Sequence, residues 1–267
     1  MYDKMKLGEQ MKVHVLASGS KGNMTLISSS DGWIALDVGL SKKLILEKLS
    51  KLKVTVNQIK HIVITHEHSD HTKGLKFLID SNSDVNVYMS KGTLFDLDKK
   101  IFLSLKSKIN ILDSRKKDKI DQYIFTSFVT SHDSKEPLAL VFENSKIKVV
   151  YITDTGYVDQ KNMQLISCAD LYLLESNHDP EKLLSSKRPM SLKKRILGEK
   201  GHLSNDDASI LINEIICDKK TSWIVMHISE SCNSIREIEK AIVRNVKEIK
   251  NLSVFYANQN EIKSLIL

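Results

Sequence analysis

The chain has 267 residues, 41% hydrophobic and 27% charged, which are globular proportions that exclude wholesale disorder. Lys and Arg number 40 against 33 Asp and Glu, a formal charge of +7; this points weakly to a polyanionic partner, and a solvated basic surface would look the same. Cys168, Cys217 and Cys232 stand far apart without paired spacing, which excludes a disulfide framework and a cysteine zinc knuckle and suits a cytoplasmic protein.

No apolar run approaches the ~18 residues of a membrane helix, so neither an anchor nor a signal peptide is expected. Residues 1–10 read as a polar, dispensable extension, and residues 11–267 as a single domain. In chain order, runs rich in Val, Ile, Tyr and Phe predict strands over 12–16, 25–28, 33–37, 61–65, 85–89, 123–130, 138–143, 147–153, 171–175, 223–228 and 253–257. Between them a helix is predicted over 41–52 with Leu44, Ile45, Leu49 and Leu52 on its apolar face. Another is opened by Ser204 and Asp207 with Ile210, Leu211 and Ile215 inward, and a last one by a Ser234–Glu237 capping box. Strands outnumber helices without a strict βαβ rhythm. An α/β (α+β layered) fold is therefore expected, with two mixed sheets face to face and helices outside.

The predicted strands at 61–65, 149–153 and 224–226 are apolar on both alternations, as interior strands are, and each runs into polar, metal-competent residues. Thr65-His66-Glu67-His68-Ser69-Asp70-His71 places three of the nine histidines and two carboxylates in one short run. Imidazole and carboxylate suit zinc, manganese or iron, and such a turn can serve more than one ion. Thr130-Ser131-His132-Asp133, Ile152-Thr153-Asp154-Thr155-Gly156 and Met226-His227-Ile228-Ser229 follow later strands, and Asp37-Val38-Gly39 follows an early one. Taken alone, His132 or His227 reads more readily as an ordinary, satisfied loop histidine.

In this order the stations resemble those of the metallo-β-lactamase fold, a family of hydrolases built as an αββα four-layer sandwich. The resemblance implies two divalent metal ions. His66, His68 and His132 would hold one, Asp70, His71 and His227 the other, and Asp154 would lie between them. Asp37 would buttress the site. A metal-bridging hydroxide would then be the nucleophile, with Asp70 orienting it; Glu67 is expected to point away.

Ser18-Gly19-Ser20-Lys21-Gly22-Asn23, Glu175-Ser176-Asn177-His178-Asp179, Lys193-Lys194-Arg195, Gly201-His202-Leu203-Ser204-Asn205 and Ser229 make the chain similar to the YycJ (WalJ) branch, bacterial cytoplasmic nucleases. That likeness implies a 5′-to-3′ DNA exonuclease, with RNA not excluded. His202 would stabilise or protonate the phosphodiester, although a helix-cap loop residue would look the same. Ser18, Lys21, Asn23, Asn177, Lys193, Arg195, Ser204, Asn205 and Ser229 would contact substrate. The alternatives are a glyoxalase II-like thioester hydrolase, for which no C-terminal helical substrate domain is found, and a non-catalytic nucleic-acid-binding protein on the same scaffold. The latter normally lacks the metal ligands that this chain retains.

Overall fold

The computed structural model describes residues 10–105 and 108–267. The expected N-terminal extension, Gln10 apart, lies outside them. The strands are β1 (Lys12–Ala17), β2 (Met24–Ser29), β3 (Gly32–Leu36), β4 (Ile59–Val63), β5 (Asn86–Met89), β6 (Ile109–Ile111), β7 (Lys117–Ile120), β8 (Tyr123–Val129), β9 (Leu138–Glu143), β10 (Lys148–Ile152), β11 (Leu171–Glu175), β12 (Thr221–Met226), β13 (Leu252–Tyr256) and β14 (Lys263–Ile266). They form two seven-stranded sheets, in the orders β14-β1-β2-β3-β4-β5-β6 and β13-β12-β11-β10-β9-β8-β7. Both sheets are mixed: β3 to β6 run parallel in the first and β10 to β13 in the second, with antiparallel pairs beside them. Every predicted strand is present. The short edge strands β6, β7 and β14 carry too few residues for an apolar period to show.

The chain divides into two compact units, Met1–Ser127 with Ser134–Pro137 and Gln259–Leu267, and Phe128–Asp133 with Leu138–Asn258. The first has its core in Leu16, Leu26, Ala35, Ile62, Ile64 and Val87 of the sheet and Ile45, Leu49 and Leu78 of the helices. Helix Lys42–Lys51 starts at Ser41, whose Oγ accepts the Leu44 N–H, and buries Ile45 and Leu49 one turn apart. Leu44, predicted inward, is 40% exposed, because the apolar stripe follows the 45–49 row and leaves its neighbour on the flank.

The second unit packs Val150, Ile152, Tyr172, Leu174, Trp223 and Val225 against helices Asn205–Ile215 and Ile235–Asn245. The Ser204–Asp207 capping box forms as predicted, but Leu211, Ile212 and Ile215 face inward while Ile210 is 44% exposed. Ser234 precedes the last helix without a side-chain cap. Its Oγ accepts from Lys182 Nζ at 3.0 Å, and Glu237 is engaged by Lys240, so the predicted box is absent.

Cys168 and Cys217 are bridged, with Cα atoms 5.1 Å apart and the Cys168 N–H donating to the Ile215 carbonyl at 2.8 Å. This corrects the inference from spacing, since residues 49 apart in sequence are neighbours in space. Cysteine usage thus gives no support to a reducing compartment. Among the described residues no helix is long and apolar enough to cross a membrane.

Candidate metal centre

In parallel sheets the loops beyond the carboxyl ends of the strands share one edge, and each unit gathers its polar residues there. In the first unit the edge is formed by the ends of β3 and β4. Asp37 leaves β3 at φ 54°, in the left-handed region that Asp tolerates better than most residues. Its fully buried carboxylate accepts the Thr65 N–H at 2.9 Å, the Thr65 hydroxyl at 3.0 Å and the His71 Nδ1–H at 2.8 Å. The last bond fixes the His71 tautomer and leaves Nε2 as its ligating atom.

Thr65 Oγ1 lies 3.0 Å from His66 Nδ1, which leaves His66 Nε2 to face His68 Nδ1 at 3.1 Å. Two nitrogens on one tetrahedral ion at 2.0–2.1 Å stand about 3.3 Å apart, so this pair fits a shared divalent cation. Asp70 is half-buried beside His71, 3.6 Å from Nε2. Gly39 allows the turn to close on this loop: a Cβ there would stand 1.5 Å from the Asp70 carbonyl oxygen, in a space crossed by the Asn23 N–H to Asp70 bond of 2.8 Å. Glu67 points away and accepts from Ser134 Oγ at 3.0 Å and the Lys135 N–H at 2.9 Å.

The second unit repeats this arrangement at the ends of β10, β11 and β12. Asp154 and His227 also sit at positive φ, 57° and 50°. Left-handed backbone costs about 1–3 kcal/mol per non-glycine residue and concentrates where geometry matters more than stability. Asp154 Oδ1 lies 3.6 Å from His227 Nε2, 3.6 Å from His202 Nδ1 and 3.9 Å from His132 Nε2. Gly156 keeps the turn narrow, since a Cβ would meet the Glu199 carbonyl at 2.0 Å. His132 Nδ1 donates to the Gly201 carbonyl at 3.3 Å; burial first, with the neighbouring His202 imidazole, lowers its pKa and favours the neutral, ligating form.

Glu175, fully buried at the end of β11, is the centre of this unit's network. It accepts the Thr155 N–H at 2.7 Å, the Leu203 N–H at 3.4 Å and His202 Nδ1–H at 3.0 Å, and stands 3.6 Å from His227 Nδ1. Burial works to raise its pKa, but the His202 charge and the bonds from His202 and His227 outweigh it and hold the carboxyl below its ordinary value. Asp154, Glu175, His202 and His227 bring ligand atoms within 4.8 Å of one another. The donor chemistry of both units, neutral imidazoles with held tautomers beside carboxylates, therefore fits divalent cations.

Several residues expected to contact substrate make hydrogen bonds within their own loops. Lys193 is buried and its ammonium donates to the Leu184 carbonyl at 2.6 Å. Asn23 Oδ1 accepts the Gly19 N–H at 2.8 Å while its amide nitrogen stands 3.1 Å from His71 Nε2. Asn177 donates to the His227 carbonyl at 2.9 Å, Ser204 caps its helix, and Asn205 bonds Ser176 and Asn233. Ser18 is buried, Lys21 is exposed, and Arg195 is exposed on an ion pair with Asp133. Ser229 Oγ accepts the Cys232 N–H at 3.2 Å and faces Arg188. Glu175 carries more of the network than sequence reasoning gave it; the available signal was a carboxylate closing an otherwise apolar strand, which must be paired if buried.

Residues 32–228 match the family model described as the β-lactamase superfamily domain. The chain is 35% identical over 243 residues, 90% of either protein, to the exodeoxyribonuclease YycJ of Bacillus anthracis. It is 32% identical over 229 residues, 85% of this chain and 84% of the relative, to the exodeoxyribonuclease WalJ of Streptococcus pneumoniae. Among solved structures, the metallo-β-lactamase fold protein YhfI from Bacillus subtilis superposes with a TM-score of 0.70 at 16% identity over 96% of this chain and 100% of that one, a likeness of fold. With this fold, this family match and these relatives, the chain belongs to the metallo-β-lactamase-fold members of the β-lactamase superfamily, alongside the YycJ and WalJ proteins.

Proposed function

We propose that the protein is a metal-dependent DNA exonuclease that degrades its substrate from 5′ to 3′ in the cytoplasm, and that both units belong to one catalytic domain. One observation carries the reading. A full set of imidazole and carboxylate donors, several with their tautomers fixed by carboxylate, carbonyl or hydroxyl partners, occurs in a chain similar along nine-tenths of its length to a protein named exodeoxyribonuclease. By the family resemblance His66, His68 and His132 would hold one ion and Asp70, His71 and His227 a second, with Asp154 completing the ligand set. These ligands do not select among zinc, manganese and iron.

When bound, the ions supply water that is nucleophilic at neutral pH and neutralise charge on the attacked phosphate. Asp70 orients the attacking water. His202, with Nδ1 engaged by Glu175, presents Nε2 to the leaving oxygen and delivers the proton it needs, while Glu175 compensates the imidazolium charge. Asp37 keeps His71 in its ligating tautomer.

The test is metal-reconstituted protein on end-labelled duplex DNA, single-stranded DNA, RNA and S-lactoylglutathione. Mononucleotide release beginning at the 5′ end of DNA is expected. Turnover of the thioester alone, or of RNA alone, would replace this reading.

A further inference from the structure

We propose that Arg188 and Lys182, with the hydroxyls of Ser229 and Ser231, form a phosphate-binding subsite for the nucleic-acid strand; the proposal rests on the nuclease reading above. Arg188 lies just beyond helix Pro180–Ser185. One of its nitrogens, Nη2, donates to Ser231 Oγ at 3.0 Å and stands 3.5 Å from Ser229 Oγ. Lys182, in that helix, donates to Ser234 Oγ at 3.0 Å. Neither cation has a carboxylate within 4.0 Å among the described residues, whereas Arg195 is paired with Asp133 and Arg244 with Asp206. Glu237 on the following helix is engaged by Lys240.

The donor count identifies the ligand. A guanidinium and an ammonium only donate, so each serine oxygen they touch acts as an acceptor and keeps its own proton to give. Ser229 also accepts the Cys232 N–H at 3.2 Å, which further leaves its hydroxyl as a donor. The cluster therefore presents two cations held by neutral oxygens, with Glu237 acting on Lys182 only at longer range and the Ser231 hydroxyl also beside Cys232 Sγ at 3.6 Å, and it suits a phosphate's charge and hydrogen-bonding needs. Its position suits the strand being cut: Ser229 and Ser231 follow the candidate ligand His227 in one loop, and the Ser229 N–H donates to the Asn177 carbonyl at 2.9 Å. The same chemistry serves a terminal phosphate or an internal backbone phosphate.

Equilibrium binding of 5′-phosphorylated and 5′-hydroxyl duplexes across a salt series, by fluorescence anisotropy, tests the proposal in wild type, Arg188→Ala, Arg188→Gln and Lys182→Ala. Glutamine retains donors toward the serines without the charge, so it separates charge from loop support. Arg188→Ala and Arg188→Gln should each weaken binding about tenfold or more and reduce the salt slope by about one unit, with Lys182→Ala acting similarly but less. A loss confined to the phosphorylated end assigns the terminal phosphate, and equal losses assign an internal one. Binding by Arg188→Gln within twofold of wild type at an unchanged slope would overturn the subsite. If wild type binds no DNA, the nuclease reading fails separately. Calorimetry with inorganic phosphate then decides the subsite: heat that disappears in Arg188→Gln supports it, and the same heat in both proteins refutes it.

Discussion

Replacing Glu175 with glutamine is the sharpest perturbation of the second unit's network. The glutamine side chain keeps an oxygen for the Thr155 N–H now bonded at 2.7 Å, so the fold retains its most buried contact. Its amide, however, turns a donor toward His202 Nδ1, now 3.0 Å from Glu175 Oε2. Two donors cannot share that bond, so His202 must rotate or change tautomer and loses its charge partner. A charge-assisted hydrogen bond contributes about 1.5–3 kcal/mol, which converts to about 10- to 150-fold in turnover at 1.4 kcal/mol per tenfold.

The assay compares kcat on duplex DNA with kcat on a nitrophenyl phosphodiester, whose leaving group scarcely needs a proton. The expected outcome for Glu175→Gln is the full loss on DNA, a smaller loss on the chromogenic substrate, and the wild-type number of bound ions, because Glu175 stands 3.6 Å from His227 Nδ1 and contacts His202 more closely. Wild-type turnover on DNA would refute the account of His202. Equal losses on both substrates, with an ion lost, would show that Glu175 acts by holding His227.

His178 is buried with neither ring nitrogen hydrogen-bonded, and burial above all, then the nearby His202, lowers its pKa from 6.5 to about 4. Between those values the unfolded chain takes a proton that the folded chain refuses, so stability falls as pH drops through the window, by about 2 kcal/mol at pH 5. Urea melts at pH 7 and pH 5 should show that difference in wild type and not in His178→Gln; the same difference in both would exclude His178 as its source. Lys193→Ala should lower the melting temperature by about 2–6 °C, as expected for a lost buried hydrogen bond, and leave the salt slope of DNA binding unchanged; a smaller slope would return Lys193 to the binding surface. Gly39→Ala should yield little folded protein, because its methyl would collide with the Asp70 carbonyl; a normal yield with normal metal content would show that the turn can open. Asp154→Ala should reduce activity more than His66→Ala does, and metal analysis of wild type should give about two ions per chain; one ion at full activity would refute the two-ion assignment.

The interior strands were legible because residues 62–64, 149–152 and 223–226, at or near the C-terminal ends of β4, β10 and β12, are apolar on both alternations, and the residues beyond them were legible because the 65–71 run is too dense in imidazole to be chance. Asp37 was legible from its Asp-x-Gly turn, and the close approach at Gly39 supplies the reason for the glycine. Side-chain destinations were not legible. Asn23, Asn177 and Asn205 look the same in sequence whether an amide meets a phosphate or a carbonyl of its own loop. Lys193 looks like surface charge until the helix Met190–Leu197 turns it inward. Glu175 lacks any spacing signature, since its partners come from residues 155, 202 and 203, which only the parallel strands bring near. The short helices Ser69–Thr72, Leu75–Ser81 and Lys91–Asp96 hold too few turns for a period to register. The Cys168–Cys217 pair is a tertiary neighbour relation that no local spacing encodes.

The most direct test of metal-dependent DNA hydrolysis uses duplex DNA labelled separately at each end, with protein stripped of metal and then restored with manganese or zinc. The account predicts that labelled mononucleotide leaves first from the 5′ end, only after metal is restored, and not from His66→Ala or His227→Ala protein. Undiminished release by the stripped protein or by both variants, or no release with any divalent ion, would contradict it.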